Sequence, residues 1–286
     1  MENHPESAPT KPHRKLSRSS YVLLSGFLAV ILLILYVWWP LAEEYISYFN
    51  PAIPLWRQLD WLLIGIFLFM TVMIMLRADL KVDFWIVLVG IFGGLAIESW
   101  GTQTLLWTYY TAERPPLWII PAWPIASLSI ERIYRFLTHL SKRVPDKAIN
   151  IAYWIVLGGF MLLMFYFVRP TFDKSLTWIA TLLCLFLIFG PNDRRKTLLL
   201  FIAGSALGYF LERWGTTREC WTYYTRQTPP LFAVLAHGLA AVAFFRAMDI
   251  ALALAHKLKT RLPWLPLLPL PEKSPSGSEP AIPPPG

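Results

Sequence analysis

Apolar residues in this chain do not alternate with polar ones; they come in long runs separated by short polar stretches. The runs fall at about Tyr21–Trp39, Trp61–Leu76, Phe84–Thr102, Leu117–Phe136, Ile149–Val168, Leu176–Gly190, Thr197–Thr216 and Leu231–Leu254. At about 1.5 Å per residue, most are long enough as helices to cross a hydrocarbon layer of about 30 Å. The pattern predicts an all-α integral membrane protein with about eight transmembrane helices. The first run follows Lys11, Arg14, Lys15 and Arg18, as a signal peptide would. It is too long for a signal core, however, and ends in Trp-Trp-Pro without a small-residue cleavage site, so it reads as a retained first helix.

The polar stretches orient the helices. With the N-terminus cytoplasmic, three basic clusters share its side: Lys142, Arg143 and Lys147; Arg194, Arg195 and Lys196; and Lys257, Lys259 and Arg261. That is the bias of the positive-inside rule, and it places both termini in the cytoplasm and the protein in the cell (inner) membrane. Residues 1–19 read as a disordered basic tail. Residues 257–286, rich in Pro, Ser and Gly, read as a disordered C-terminal tail with no capacity for a packed core.

Composition sharpens this picture. The 286 residues are 56% hydrophobic and only 15% charged, too few charges to cover a soluble domain. The net charge of +8 sits between the apolar runs, so it marks topology and not a nucleic-acid partner. Cys184 and Cys220 form no Cys-x-x-Cys and have no His at ligand spacing, which leaves neither a metal site nor a disulfide framework.

Self-comparison reveals a repeat. Glu98-Ser-Trp100-Gly101-Thr102 returns as Glu212-Arg-Trp214-Gly215-Thr216, Trp107-Thr-Tyr-Tyr-Thr111 as Trp221-Thr-Tyr-Tyr-Thr225, and Pro115-Pro116-Leu117 as Pro229-Pro230-Leu231, all at one offset. The same offset carries Asp79 onto Asp193. Chance likeness between apolar runs would match Leu with Ile, not Trp, Pro and Glu. Two parallel four-helix repeats follow, at 20–148 and 149–256, with extra residues in the Pro40–Asp60 loop of the first.

Each repeat holds one glutamate within a run. Gly90, Gly94 and Glu98 lie four apart, as do Gly204, Gly208 and Glu212, so each acid shares a helix face with a Gly-xxx-Gly stripe. That face points into the bundle, where an ionisable group is tolerated. Glu98 and Glu212 lie about 20 Å from the inner ends of their helices. Burial favours a neutral acid that can donate a proton. His237 lies about 9 Å below the outer end of its helix, close to the depth of Glu212, so the two form a candidate proton-handling pair. Trp123 stands at the equivalent position of the first repeat, and Ser99 stands for Arg213. The chemistry therefore favours the second copy. A purely structural carboxylate, accepting a bond from a Trp, Tyr or Thr, is the competing reading. The Trp-Thr-Tyr-Tyr-Thr segments are either an interfacial aromatic belt or a cap over the site. Arg132, Arg246 and Asp249, with Glu131 and Arg135 at helical spacing, read as ion pairs near the inner helix ends.

The order Glu, Gly-Thr, paired Tyr, Pro, then Pro121-Ala-Trp123 resembles membrane proteins of carotenoid biosynthesis, of the carotenoid hydratase type. Proton-driven lycopene cyclases are a more distant analogue. The likeness covers the third and fourth runs and their connection. It departs where a Gly-Pro-Phe-Gly-like stretch would precede the tyrosines: Thr104-Leu-Leu-Trp107 and Arg218-Glu-Cys-Trp221 stand there. The resemblance implies protonation of a terminal double bond of an isoprenoid, with Glu98 or Glu212 as donor and no cofactor. Tyr109, Tyr110, Tyr223 and Tyr224 would line or close the pocket, and Trp100, Trp107, Trp123, Trp214 and Trp221 complete the candidate substrate-binding set. Aromatic faces stabilise a developing carbocation.

Three functions stay open on the sequence. An enzyme acting on an apolar isoprenoid or other membrane lipid accounts for the acids, the aromatics and the lack of nucleotide or nucleophile motifs. A small proton-coupled transporter fits the repeat and the acids. A non-catalytic scaffold would use the Pro-rich tail for docking. The pattern also leaves a homo-oligomer open.

Overall fold

The structure, a computed structural model, describes residues 17–76 and 78–261. Among them are nine α-helices: α1 (Arg18–Val37), α2 (Trp39–Ser47), α3 (Trp61–Met75), α4 (Leu80–Gln103), α5 (Ala122–Leu140), α6 (Asp146–Val168), α7 (Ser175–Phe189), α8 (Arg194–Thr217) and α9 (Leu231–Arg261). Two short strands, β1 (Trp107–Tyr109) and β2 (Trp221–Tyr223), are an addition to the all-α expectation. By length and composition α1, α4, α9 and α6 with its following turn are long and apolar enough to cross a membrane; α3 and α7 are shorter apolar helices.

Each of the eight apolar runs contains a helix. Asp60, Asp79 and Asp193 cap α3, α4 and α8 by accepting backbone N–H bonds from Leu63, Lys81 and Lys196. The repeated aspartates Asp79 and Asp193 are thus matching helix starts. Two boundaries differ from expectation. In the second repeat α9 begins directly after Pro229-Pro230. In the first, the equivalent Pro115-Pro116 leads into a 3-10 turn at Leu117–Ile119, and α5 starts only at Ala122. Pro121 and Pro124 explain the delay, because neither has an N–H for the preceding turn. The expected tails are also partly ordered. Ser17 caps α1 through the Ser20 N–H, and α9 runs on to Arg261, where Lys259 and Arg261 complement the helix dipole. The rest of both tails, residues 1–16 and 262–286, lies outside the described residues.

Helices α4, α5, α8 and α9 form the centre. α4 packs on α5 and α8 on α9 within each repeat, while α5 meets α8 and α4 meets α9 across them. The offset of the repeat carries α3 onto α7, α4 onto α8 and α5 onto part of α9, and chain order sets α1 against α6. The symmetric register of β1 on β2 places a local pseudo-two-fold axis between them. The extra residues of the first repeat form α2 and a 3-10 turn at Leu55–Arg57. Glycine sets the closeness of the central pairs: a Cβ on Gly90 would lie 2.8 Å from Pro124 Cα, and one on Gly204 2.6 Å from the His237 carbonyl oxygen. The outer helices turn large apolar side chains outward, among them Leu32, Leu68, Leu162 and Leu182.

At the end remote from the strands, Arg132 makes a two-pronged ion pair with Asp83, both bonds 2.8 Å and both groups buried. Arg132 also bonds Glu131, which pairs with Arg135. In the second repeat Thr197 replaces Asp83, Arg246 donates to the Pro191 carbonyl at 2.6 Å, and Lys196 pairs with Asp249 at 2.5 Å. Of the expected ion pairs, Glu131–Arg135 exists at helical spacing. Arg132 takes its main partner from α4, Asp249 pairs with Lys196 of α8, and Arg246 bonds a carbonyl and makes no ion pair among the described residues. The helix crossings, and not the spacing along one helix, set these partners.

Candidate functional site

The Gly-Thr steps that close α4 and α8 build the site. After each, the chain reverses through a left-handed residue, Leu105 at φ 61° and Glu219 at φ 56°. The turns are held by Leu106 N–H to Gly101 O at 3.0 Å and Cys220 N–H to Gly215 O at 2.9 Å. The chain then runs back along its own helix as a strand. β1 and β2 pair antiparallel across the pseudo-two-fold axis, Trp107 opposite Tyr223, Thr108 opposite Thr222 and Tyr109 opposite Trp221. Strand alternation sends Trp107 and Tyr109 to one face with Trp221 and Tyr223. Tyr110 and Tyr224, one residue on, point away and donate to the carbonyls of Val37 and Phe167. These two tyrosines, expected to line or close the pocket, tie the ribbon to α1 and α6 and are not among the cavity's lining residues, because the two-residue period of a strand turns them away from it.

Each strand of the ribbon closes on a buried carboxylate. Glu98 accepts from Trp107 Nε1 (3.0 Å), Tyr109 OH (2.9 Å) and Trp123 Nε1 (3.1 Å). Glu212 accepts from Trp221 Nε1 (2.9 Å) and Tyr223 OH (2.9 Å), and its Oε1 lies 3.0 Å from His237 Nε2. Glycine again makes the room, since a Cβ on Gly101 or Gly215 would lie 1.8 or 2.0 Å from the Trp107 or Trp221 ring. The next residue, Thr102 or Thr216, returns its hydroxyl to the glutamate's own carbonyl at 2.6 Å. The motif Glu-x-Trp-Gly-Thr therefore supplies an acid, a space for an indole and a satisfied last turn.

The third partner distinguishes the copies. The Trp123 N–H can only donate, so it holds Glu98 as an acceptor. His237 can give or take a proton, so one proton can lie on either partner of the Glu212–His237 contact. The two rings themselves stack across the axis, centroids 5.5 Å apart and planes 20° off parallel.

Both carboxyl groups border one cavity of about 530 Å³, a size suited to a single small organic ligand. Trp100, Trp107, Tyr109, Trp123, Trp214, Trp221, Tyr223 and His237 line it, and the remaining wall is largely aliphatic, with Ser99 and Gln103 as further polar side chains. On the α7 side its lining includes Ile179 and Leu183, which are 63% and 53% exposed on the outer surface. On the α1–α3 side the lining residues Phe27, Ile66 and Met70 are buried. The cavity wall on the α7 side is therefore made partly of residues that also face the apolar exterior.

Three site residues have no signal in the sequence. Trp38, at the end of α1, stacks on Trp214 with centroids 4.9 Å apart, and Trp118 meets Trp38 edge-on at 5.7 Å. Asp60 accepts from Trp214 Nε1 at 2.9 Å and from Arg218 at 3.0 Å. These link the extra loop of the first repeat to the second, a contact no motif spacing encodes. Arg213 is exposed and donates to the Thr228 carbonyl, away from its neighbour's carboxylate. Cys220 is buried in the ribbon, and burial pushes its thiol up to about 12, which leaves it an inert packing group.

Comparison with protein-family models, curated proteins and solved structures finds no match for this chain.

Proposed function

We propose that this chain is a multi-pass protein of the cell membrane, with eight spans and cytoplasmic termini, that acts as an acid catalyst on an apolar isoprenoid or carotenoid-like lipid. The observation that carries this reading is the Glu212–His237 contact of 3.0 Å at the wall of an otherwise apolar cavity. The outward-facing leucines of the outer helices and the α7 residues shared by the cavity wall and the exterior support a ligand that arrives from lipid. The two central helices that fail a simple apolarity test, α5 and α8, are shielded by the others, which tolerates their charges within a membrane.

In this reading the Glu212 carboxylic acid gives its proton to one carbon of a terminal double bond. A C–H bond forms from the π pair, the neighbouring carbon becomes a carbocation, and Glu212 is left as a carboxylate. Capture by water returns one proton to the Glu212–His237 pair, a net hydration. Capture by a second double bond closes a ring, and loss of an adjacent C–H proton to the same pair gives a net isomerisation. The faces of Trp221, Tyr223 and Trp214 stabilise the cation.

The test is expression in cells that accumulate linear carotenoids or other polyprenes, followed by comparison of extracted lipids with those from Glu212→Gln and Glu98→Gln variants. A new hydrated or cyclised product, lost in Glu212→Gln, is the expected result. No change in any lipid with the intact protein would reject the reading, and a substrate-dependent proton flux in liposomes would favour a carrier.

A further inference from the structure

The repeats place two carboxylates at equivalent positions, which suggests two active sites. The contacts around them argue for one. Glu98 is saturated by three donors, two of them indoles that can neither accept nor exchange a proton at ordinary pH. One of those indoles, Trp123, spans the axis. Its N–H is fixed on Glu98 Oε1, and its ring lies against the His237 ring. Glycines back both rings: a Cβ on Gly94 would lie 2.5 Å from Trp123 Cγ, and one on Gly208 2.6 Å from His237 Cβ. Each ring is therefore confined between the other ring and a helix backbone.

We infer that the first repeat does not supply a second acid but positions the histidine of the second: Glu98 holds Trp123, and Trp123 holds the His237 ring with Nε2 on Glu212. Trp123 is then a positioning residue, and Glu98 acts through it. The chain of groups runs Glu98 Oε1, Trp123 Nε1, the stacked rings, His237 Nε2 and Glu212 Oε1, at 3.1, 5.5 and 3.0 Å. The stack has an electrostatic side as well, because an indole face attracts an imidazolium. The other ionisable groups lining the cavity are Tyr109, Tyr223 and Cys184; α5 and α6 line it with neutral residues. The inference shares with the proposed function only the idea that His237 handles a proton; the arrangement itself can be tested without any substrate.

The experiment is nitrogen NMR of the full chain labelled at histidine, with the His237 signals assigned by their loss in His237→Asn. Glu98→Gln, which touches His237 nowhere, is expected to shift or split both His237 ring-nitrogen signals. In it an amide NH₂ must face either Trp107 on the Oε2 side or Trp123 and Tyr109 on the Oε1 side, so the acceptor set that holds Trp123 is weakened or lost. Trp123→Leu should do the same more strongly. Trp123→Phe, which keeps a ring but loses the tether, should fall between. Tyr110→Phe, outside the chain of groups, should leave the signals unmoved. If Glu98→Gln does not fold, Trp123→Phe alone decides. Unmoved His237 signals in the folded variants would overturn the inference even if lipid products form. Shifted signals would uphold it even if no lipid product is ever found.

Discussion

The two repeats share a backbone and differ at one decisive position. In both, a glutamate four residues beyond a Gly-xxx-Gly stripe receives a Trp and a Tyr from the returning strand, at nearly identical distances. In the first the remaining partner is the donor Trp123, in the second His237. A duplicated scaffold thus carries one carboxylate with donor-only indoles around it and one with a proton-exchanging neighbour. The difference teaches that structural duplication and chemical duplication are separable. The Trp and Tyr contacts to the carboxylate are kept in both copies, while a partner side chain that can both give and take a proton, His237, is present in one.

The largest expected effect addresses that difference directly. Glu212→Gln and His237→Phe should each lower product formation by about 10²–10⁴-fold, the usual contribution of a positioned acid or base, while Glu98→Gln lowers it less. Product assays from extracted lipid read this out. Exchanging the partners in a Trp123→His, His237→Trp double variant should move the proton-handling pair to Glu98 and restore part of the activity lost in His237→Trp alone. Equal losses in both glutamate variants with no recovery on exchange would remove the distinction between copies.

Stability tests sharpen the comparison at the other end of the molecule. Asp83→Ala leaves the Arg132 guanidinium buried with its main partner gone and should cost about 3–5 kcal/mol. Thr197→Ala, at the equivalent place, should cost far less; thermal melts in detergent separate them. Gly101→Ala and Gly215→Ala should behave alike, each losing about 1–3 kcal/mol as the indole over its carboxylate is displaced. A clear inequality would mean that the two pockets are packed to different tolerances. The smallest effect is a gain. Glu219→Gly relieves the roughly 1–2 kcal/mol that a side chain costs in the left-handed region and adds roughly 0.5–1 kcal/mol of unfolded-chain freedom, a net gain of about 0–1 kcal/mol. Leu105→Gly should gain less because it also loses a half-exposed apolar side chain.

Much of the scaffold was legible from the pattern of residues. The eight helical segments follow from the apolar runs, because an unbroken run of this length has few other ways to satisfy its backbone. That α4 and α8 lie close to a neighbour follows from the glycine stripes, while the identity of those neighbours, α5 and α9, comes from the packing. His237 was placed beside Glu212 by depth alone, since rise per residue is a fixed property of a helix. Other features were not legible. Trp-Thr-Tyr-Tyr-Thr reads equally as belt or cap, and only strand pairing between the repeats turns Trp107, Tyr109, Trp221 and Tyr223 inward while sending Tyr110 and Tyr224 to helix ends. Asp83 carries no motif or spacing that marks it, and its bond to Arg132 depends on how α4 and α5 cross.

What the sequence by itself determined is local and periodic: helix positions, the duplication, and the acids on glycine faces. These depend on spacing along one chain, where geometry is set by rise and turn per residue. What only the tertiary structure decided is everything that crosses the axis. That includes the ribbon shared by the repeats, the single cavity bordered by both carboxylates, the stack of Trp123 on His237 and the reach of Asp60 to Trp214. Such contacts join residues far apart in sequence, and their geometry comes from the packing of whole helices, which no short motif records.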